Sequence, residues 1–354
     1  MTRFFDRKLS ALEPYTPGEQ PKNGEKLIKL NTNESPFPPS PRVFEALNRE
    51  SIENLRLYPE LGVTALHEAT ADFYGISPEQ VFTANGSDEV LAFCFHGLCP
   101  NGAVFADLTY GFYPVFAKMF GIPYHVVPLR ADFTLAVEDY EECRETVFLA
   151  NPNAPTGLYL GLDSVQELLE QNRDRLVVLD EAYIDFGGES AVSLLPAYDN
   201  LLVVQTFSKS RQLAGGRLGL ALGSRELIAD LQTLKFSFNP YSVNHLTLLE
   251  GAASMRDREY FDACRHEIMR VRKYTMAELR RRGFSIPESL ANFIFAAPPG
   301  GISGRMYYEK LRTYGILVRY FAGERTGNYV RITIGSKEQM DALLAATDEI
   351  LGEA

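Results

Sequence analysis

One lysine of this chain stands where few surface lysines stand. Lys209 lies in Thr206-Phe-Ser208-Lys209-Ser210, directly after the apolar run Leu201-Leu-Val-Val, which reads as a buried strand. Hydroxyls precede it at Thr206 and Ser208, and Arg217 follows behind a glycine pair. An amine at a strand end can form an imine with an aldehyde. Hydroxyls, loop amides and a guanidinium can hold a phosphate on the same molecule. A Ser-Lys pair alone is weak evidence, because most lysines are solvated surface charges.

A second segment adds weight. Arg175-Leu-Val-Val-Leu-Asp180-Glu-Ala-Tyr183 is another apolar run, ending in a carboxylate with a phenol just beyond. An aspartate at a strand end can pair with a pyridine nitrogen and keep that ring protonated as an electron sink. Tyr183 is placed to donate to the ring's phenolic oxygen. Alone, Asp180 reads equally well as a helix N-cap or a Mg²⁺ ligand. Together with Lys209 it points to pyridoxal phosphate as cofactor.

Further candidates are individually weak. In Asn85-Gly86-Ser87-Asp88-Glu89, Gly86 permits a tight turn and the Ser87 and Asp88 amides open a helix, where phosphate is favoured; an ordinary N-cap explains the same residues. Tyr110, beyond the run Ala103-Val-Phe-Ala, is placed to stack on a ring or to sit in the core. Asn151-Pro-Asn153-Ala-Pro-Thr-Gly157 is a tight turn whose spare feature is an asparagine amide. Arg331, inside Tyr329-Val-Arg-Ile-Thr-Ile, needs a partner if buried: an incoming carboxylate or phosphate, or an internal salt bridge. Arg319, after Ile316-Leu-Val, is a second such candidate.

The elements that must position these groups follow from hydrophobic periodicity. Runs at 81–84, 103–106, 124–127, 146–150, 176–179, 201–204 and 218–222 read as strands, with helical patterns such as 163–171 between them. Continuous apolar strands separated by helices predict a mostly parallel sheet covered on both faces, with the ligand beyond the strands' carboxyl ends. Residues from 243 to about 282 read as one long helix leading into a smaller α+β unit. Its strands are expected at 293–296, 316–319 and 329–334, and its helices at 305–313 and 337–351. The expected division is an arm over 1–30, a large domain over 31–250 and a small domain over 251–354.

Length and composition suit this plan. The chain has 354 residues, 45% hydrophobic and 23% charged, as in ordinary globular proteins. A net charge of −11 argues against a nucleic-acid partner or an anionic membrane surface. No apolar run approaches the roughly 18 residues of a membrane span. Cys94, Cys99, Cys143 and Cys264 lack paired spacing and read as reduced thiols of a cytoplasmic protein, two of them on an apolar helix. The five histidines show no ligand spacing, so no metal is expected. A nicotinamide dehydrogenase is disfavoured because no Gly-x-Gly-x-x-Gly follows an early strand.

With Lys209, Asp180, Tyr183, Arg217 and the Asn-Pro-x-x-Pro-Thr-Gly turn in this order, the chain resembles the class I/II pyridoxal-phosphate aminotransferases over nearly its whole length. Pro14-Tyr15, Lys29-Leu-Asn31-Thr-Asn33-Glu34, Leu57-Tyr58-Pro59 and Ser289-Leu-Ala-Asn292 add to the likeness. The resemblance implies the α/β aspartate aminotransferase-like fold and a set of roles. Lys209 would carry the cofactor covalently, Asp180 its pyridine nitrogen and Tyr183 its ring oxygen. Ser87, Asp88, Thr206, Ser208 and Arg217 would hold its phosphate, and Tyr110 would stack on its ring. Tyr58 would reach the phosphate of a neighbouring subunit, which implies a two-fold homodimer. Tyr15, Asn33, Arg319 and Arg331 would face the amino donor and 2-oxoglutarate. The family commonly has asparagine directly before Pro-Thr-Gly, where this chain has Ala154, so Asn153 is the candidate for that bond to the ring. Relatives that decarboxylate threonine phosphate or transaminate aromatic amino acids would use the same lysine and aspartate.

Overall fold

The apolar runs pair as expected in a computed structural model that describes residues 2–10, 12–21 and 27–353. Residues 1, 11 and 22–26, all within the expected arm, and residue 354 lie outside the described residues. The strands, in chain order, are β1 Ile28–Lys29, β2 Val81–Asn85, β3 Ala103–Ala106, β4 Tyr124–Val127, β5 Thr146–Ala150, β6 Val177–Asp180, β7 Leu201–Thr206, β8 Leu218–Gly223, β9 Phe293–Ala296, β10 Ile316–Leu317, β11 Arg319–Tyr320 and β12 Val330–Thr333.

The main sheet has seven strands in the order β2-β8-β7-β6-β5-β3-β4. All run parallel except β8, which is antiparallel to both its neighbours. Alternation along each strand feeds two separate cores. Val177, Leu179, Leu201 and Val203 face one apolar cluster, whereas Val178, Leu202 and Val204 face the other. Both faces are covered, which is why these strands are continuously apolar. A second, three-stranded antiparallel sheet, β11-β12-β9, packs with the helices Gly304–Thr313 and Lys337–Gly352 around a third core.

Three expectations need correction. The segment from 243 to 282 is two helices, His245–Arg256 and Arg258–Arg281. Asp257 ends the first and caps the second, its Oδ1 accepting from the Tyr260 amide at 3.4 Å. Periodicity runs smoothly across this break because a single capping residue barely disturbs an apolar stripe. The run 316–319 is split: at buried Val318 the chain changes partner, so β10 pairs with β1 while β11 pairs with β12. Of the two cysteines placed on one helix, Cys99 lies beyond the end of the helix Gly86–Gly97. All four cysteines are free and buried. Among the described residues, no helix is long and apolar enough to cross a membrane.

Candidate active site

Beyond the carboxyl ends of the central strands lies a cavity of about 390 Å³. It is lined by Tyr15, Asn33, Ser87, Asp88, Tyr110, Asp180, Tyr183, Thr206, Ser208, Lys209, Arg217, Arg319 and Arg331. Thirteen residues singled out in the sequence thus surround one space, although they span more than three hundred positions of chain.

Lys209 follows β7 on the turn that the sequence places at the strand end. Its Nζ donates to the Thr32 carbonyl oxygen at 3.0 Å and lies 6.0 Å from the centre of the Tyr183 ring. Burial brings its pKa down to about 8, and Arg331 and Arg217 push the same way; Glu34 and Asp88 oppose them. An amine near 8 has a usable neutral fraction at neutral pH, which an ordinary lysine lacks.

Asp180 is the last residue of the neighbouring β6 and is buried. Its Oδ1 accepts from the Ala182 amide at 3.2 Å and its Oδ2 from the Tyr113 hydroxyl at 3.2 Å. Burial raises its pKa to about 6, and these two donors pull the other way. A cationic N–H set against this carboxylate would restore its charge.

The anion end is built from three strand ends. Gly86, at φ +76°, opens the helix Gly86–Gly97, leaving the Ser87 and Asp88 amides free at its start. Ser208 N donates to Thr206 Oγ1 at 3.1 Å, and the two hydroxyls lie 3.0 Å apart. Arg217 reaches Ser208 Oγ at 3.4 Å and Asp88 Oδ2 at 3.2 Å. A Cβ on Gly86 would sit 2.5 Å from Arg217 Nη2, and one on Gly219 would sit 2.3 Å from Ser87 N. Only glycine at both positions lets the guanidinium and the helix start share this space. The Asp88 carboxylate is spent on Arg217 and on the Tyr110 hydroxyl at 2.7 Å, so what Asp88 offers an anion is its amide.

At the opposite end, Arg319 and Arg331 stand directly across from each other in the β11–β12 pair. Arg331 Nη2 donates to the Asn31 carbonyl oxygen at 3.1 Å, while its buried Nε has no partner. Arg319 donates to the carbonyls of Thr16 and Pro17 at 2.8 and 3.0 Å. Among the described residues neither pairs with a carboxylate, so the internal salt bridge weighed for Arg331 is not formed. Like charges facing across two strands are unfavourable unless an anion joins them. Asn33, at φ +58°, donates from Nδ2 to the Tyr183 hydroxyl at 2.9 Å, and the Asn292 amide holds its carbonyl at 2.9 Å. Tyr15 stacks on Phe112 with centroids 4.3 Å apart.

Two expected residues lie outside the cavity. Asn153 is a correction: its Nδ2 donates to the Leu108 carbonyl at 3.0 Å and to Thr156 Oγ1 at 3.1 Å, so the turn consumes the amide. Ala154 lines the cavity instead, offering no hydrogen bond. Tyr58 is 81% exposed and stacks on Tyr241, with centroids 4.4 Å apart. Sequence reasoning missed Tyr113, Glu34 and the Thr32 carbonyl. Tyr113 was legible in principle as the second phenol, three residues after Tyr110; a backbone carbonyl leaves no trace in residue type.

The donor set fits pyridoxal phosphate. A buried carboxylate, a half-buried amine of lowered pKa, a glycine-shaped anion cradle and a guanidinium with an orphaned N–H all open on one space. The comparisons agree. Residues 25–346 match the family described as aminotransferase class I and II. The chain belongs to this family. It is similar to the histidinol-phosphate aminotransferase of Pseudomonas putida, 47% identical over 98% of this chain and 99% of that protein. The enzyme of the same name from Clostridium botulinum strain 657 is 45% identical over the full length of both. In fold it is similar to the Sinorhizobium meliloti histidinol-phosphate aminotransferase in complex with pyridoxal-5'-phosphate, with a TM-score of 0.89 at 23% identity, covering 100% of this chain and 99% of that one. The chain is therefore a pyridoxal-phosphate-dependent aminotransferase with an aspartate aminotransferase-like fold, acting on amino and keto compounds.

Proposed function

We propose that this aminotransferase moves the amino group of L-histidinol phosphate to 2-oxoglutarate, giving imidazole acetol phosphate and L-glutamate in histidine biosynthesis. The observation that carries the reading is the facing pair Arg319 and Arg331, without carboxylate partners among the described residues and opening on the Lys209 cavity. A donor ending in a phosphate and an acceptor bearing carboxylates both suit two guanidiniums. The full-length relatives at 45–47% identity bear the name of this activity.

When bound, pyridoxal phosphate supplies an electron sink beside the carbon that loses its proton. The rest falls to the chain. Lys209 Nζ would anchor the cofactor and, as a free amine, would move the donor's proton; its pKa near 8 suits a base in neutral solution. Asp180 would hold the ring nitrogen, steadied by Tyr113 and the Ala182 amide. Tyr183, oriented by Asn33, would hold the ring oxygen alone, because Asn153 is committed elsewhere. Ser87, Thr206, Ser208, Arg217 and the Asp88 amide would hold the phosphate, and Tyr110 would stack on the ring. The domains divide near residue 30 and, later than the expected 250, at Asp257, because Ala252 and Met255 still pack in the main-sheet core; the protein works in the cytoplasm.

The active form is a two-fold dimer. Tyr58, backed on one face by Tyr241, and its chain neighbours Ile52, Leu55, Leu57 and Leu61 are exposed, which suits a second copy that receives Tyr58 at its own phosphate cradle. Kinetics on histidinol phosphate, phenylalanine and threonine phosphate, with carbon dioxide monitored, test the donor; sedimentation equilibrium tests the dimer. Turnover preferring phenylalanine, or releasing carbon dioxide, would refute the donor assignment.

A further inference from the structure

Three side chains with metal-binding atoms converge at the end of the main sheet away from Lys209. His125 is the second residue of the edge strand β4. It stands opposite Val104 of β3, which stands opposite Val147 of β5. Side chains alternate along a strand, so Glu145, two residues before Val147, joins the face that carries His125. Cys143, two residues earlier again, enters from the loop after the turn Val137–Tyr140. That loop is fixed from below, where Arg175 Nη1 donates to the Cys143 carbonyl oxygen at 3.0 Å.

The contacts are specific. His125 Nδ1 lies 3.1 Å from Glu145 Oε1, and His125 Nε2 lies 3.5 Å from Cys143 Sγ. One donor atom from each residue falls within 4.8 Å of the others. A carboxylate beside Nδ1 favours the ring proton there and leaves Nε2, on the side of the sulfur, to serve as a ligand, the outer-partner arrangement found behind histidine metal ligands. The separation also fits. Nitrogen at about 2.0–2.1 Å and sulfur at about 2.3 Å from a tetrahedral zinc ion lie about 3.6 Å apart. The imidazole is exposed and the thiol buried, so an ion can enter past the ring and leave solvent on its far side.

We propose that Cys143 Sγ and His125 Nε2 bind a thiophilic divalent cation of the zinc class, with Glu145 orienting the ring through Nδ1 and water filling the remaining positions. Binding forms a metal–thiolate bond and releases the thiol proton to solvent, one per metal ion. The ion would tie the edge strand β4 to the chain entering β5 across β3. It sits at the amino ends of these strands, whereas the cofactor cavity lies at the carboxyl ends. Its role is to stabilise that edge, and it does not rest on the proposed transamination.

Cadmium titration of the EDTA-treated, dialysed holoenzyme tests this, read as the ultraviolet thiolate-to-metal charge-transfer band. Wild type should show a saturable band at one equivalent, with release of one proton and a rise in Tm. Cys143→Ser should lose both the band and the rise in Tm. Glu145→Gln should bind about 10- to 100-fold more weakly, and His125→Gln, which removes a ligand at an exposed position, more weakly still. Unchanged cofactor absorbance in each variant checks that it is folded. No band in wild type, a band surviving in Cys143→Ser, or wild-type affinity in His125→Gln or Glu145→Gln would overturn the proposal.

Discussion

Arg331 has two effects that a single substitution separates. Its guanidinium is the second-largest cause, after burial, of the drop in Lys209 pKa to about 8 from 10.5. Arg331→Gln keeps the burial and removes the charge, so the lysine should titrate above 8 but short of 10.5. At pH ~7.5 an amine of pKa 8 is about one-quarter neutral, and one of pKa 10.5 about one-thousandth neutral. The rate at which apoenzyme takes up pyridoxal phosphate, followed by visible absorbance against pH, should rise through about 8 in wild type. In the variant the inflection should move to higher pH, with a neutral-pH rate between those bounds. In the proposed substrate role of Arg331, the same change would also remove a charged contact worth about 2–5 kcal/mol, so kcat/KM should fall about 30-fold to several thousand-fold. An inflection that stays put or moves down, with kcat/KM intact, would refute the reasoning.

Other outcomes follow from the same geometry. In the folded apoenzyme Asp180 holds its proton up to about 6, against 3.8 for the ordinary side chain, so the folded state binds more protons between these values and stability falls as pH rises through them. Asp180→Asn should therefore stabilise the apoenzyme at pH ~7 by up to about 3 kcal/mol in chemical denaturation, while abolishing transamination. Tyr113→Phe removes the donor at 3.2 Å from Asp180 Oδ2; losing a hydrogen bond to a charged group costs about 1.5–3 kcal/mol, or about 10- to 150-fold in cofactor affinity by equilibrium dialysis. Gly86→Ala sets a Cβ 2.5 Å from Arg217 Nη2 at a φ of +76°; it should cost about 1–2 kcal/mol in stability and weaken phosphate binding at least about tenfold by the same dialysis.

Much of this architecture could be read in the residues because the main strands are buried on both faces. Leu201 to Val204 and Val177 to Leu179 are apolar at every position, so their direction and the ligand's side of the sheet followed before any contact was known. The charged and hydroxyl groups at their ends were legible for the same reason, since a polar residue closing an apolar run has few structural explanations. Asn153 misled because residue type cannot tell an amide that faces a ligand from one that completes its own turn. The break at Asp257 was hidden because one capping residue leaves the apolar stripe intact on either side. Thr32 was invisible because it contributes a carbonyl, which every residue has. The opposition of Arg319 and Arg331 depends on strand register, which emerges only when the two short strands are paired.

The central claim is that one amine, Lys209 Nζ, carries the cofactor. Borohydride reduction of the holoenzyme, followed by digestion and mass spectrometry, asks this directly. The account predicts a stable pyridoxyl adduct on the peptide containing Lys209, absent when that residue is replaced by alanine. A stable adduct on any other lysine, or none on the reduced wild-type protein, would contradict it.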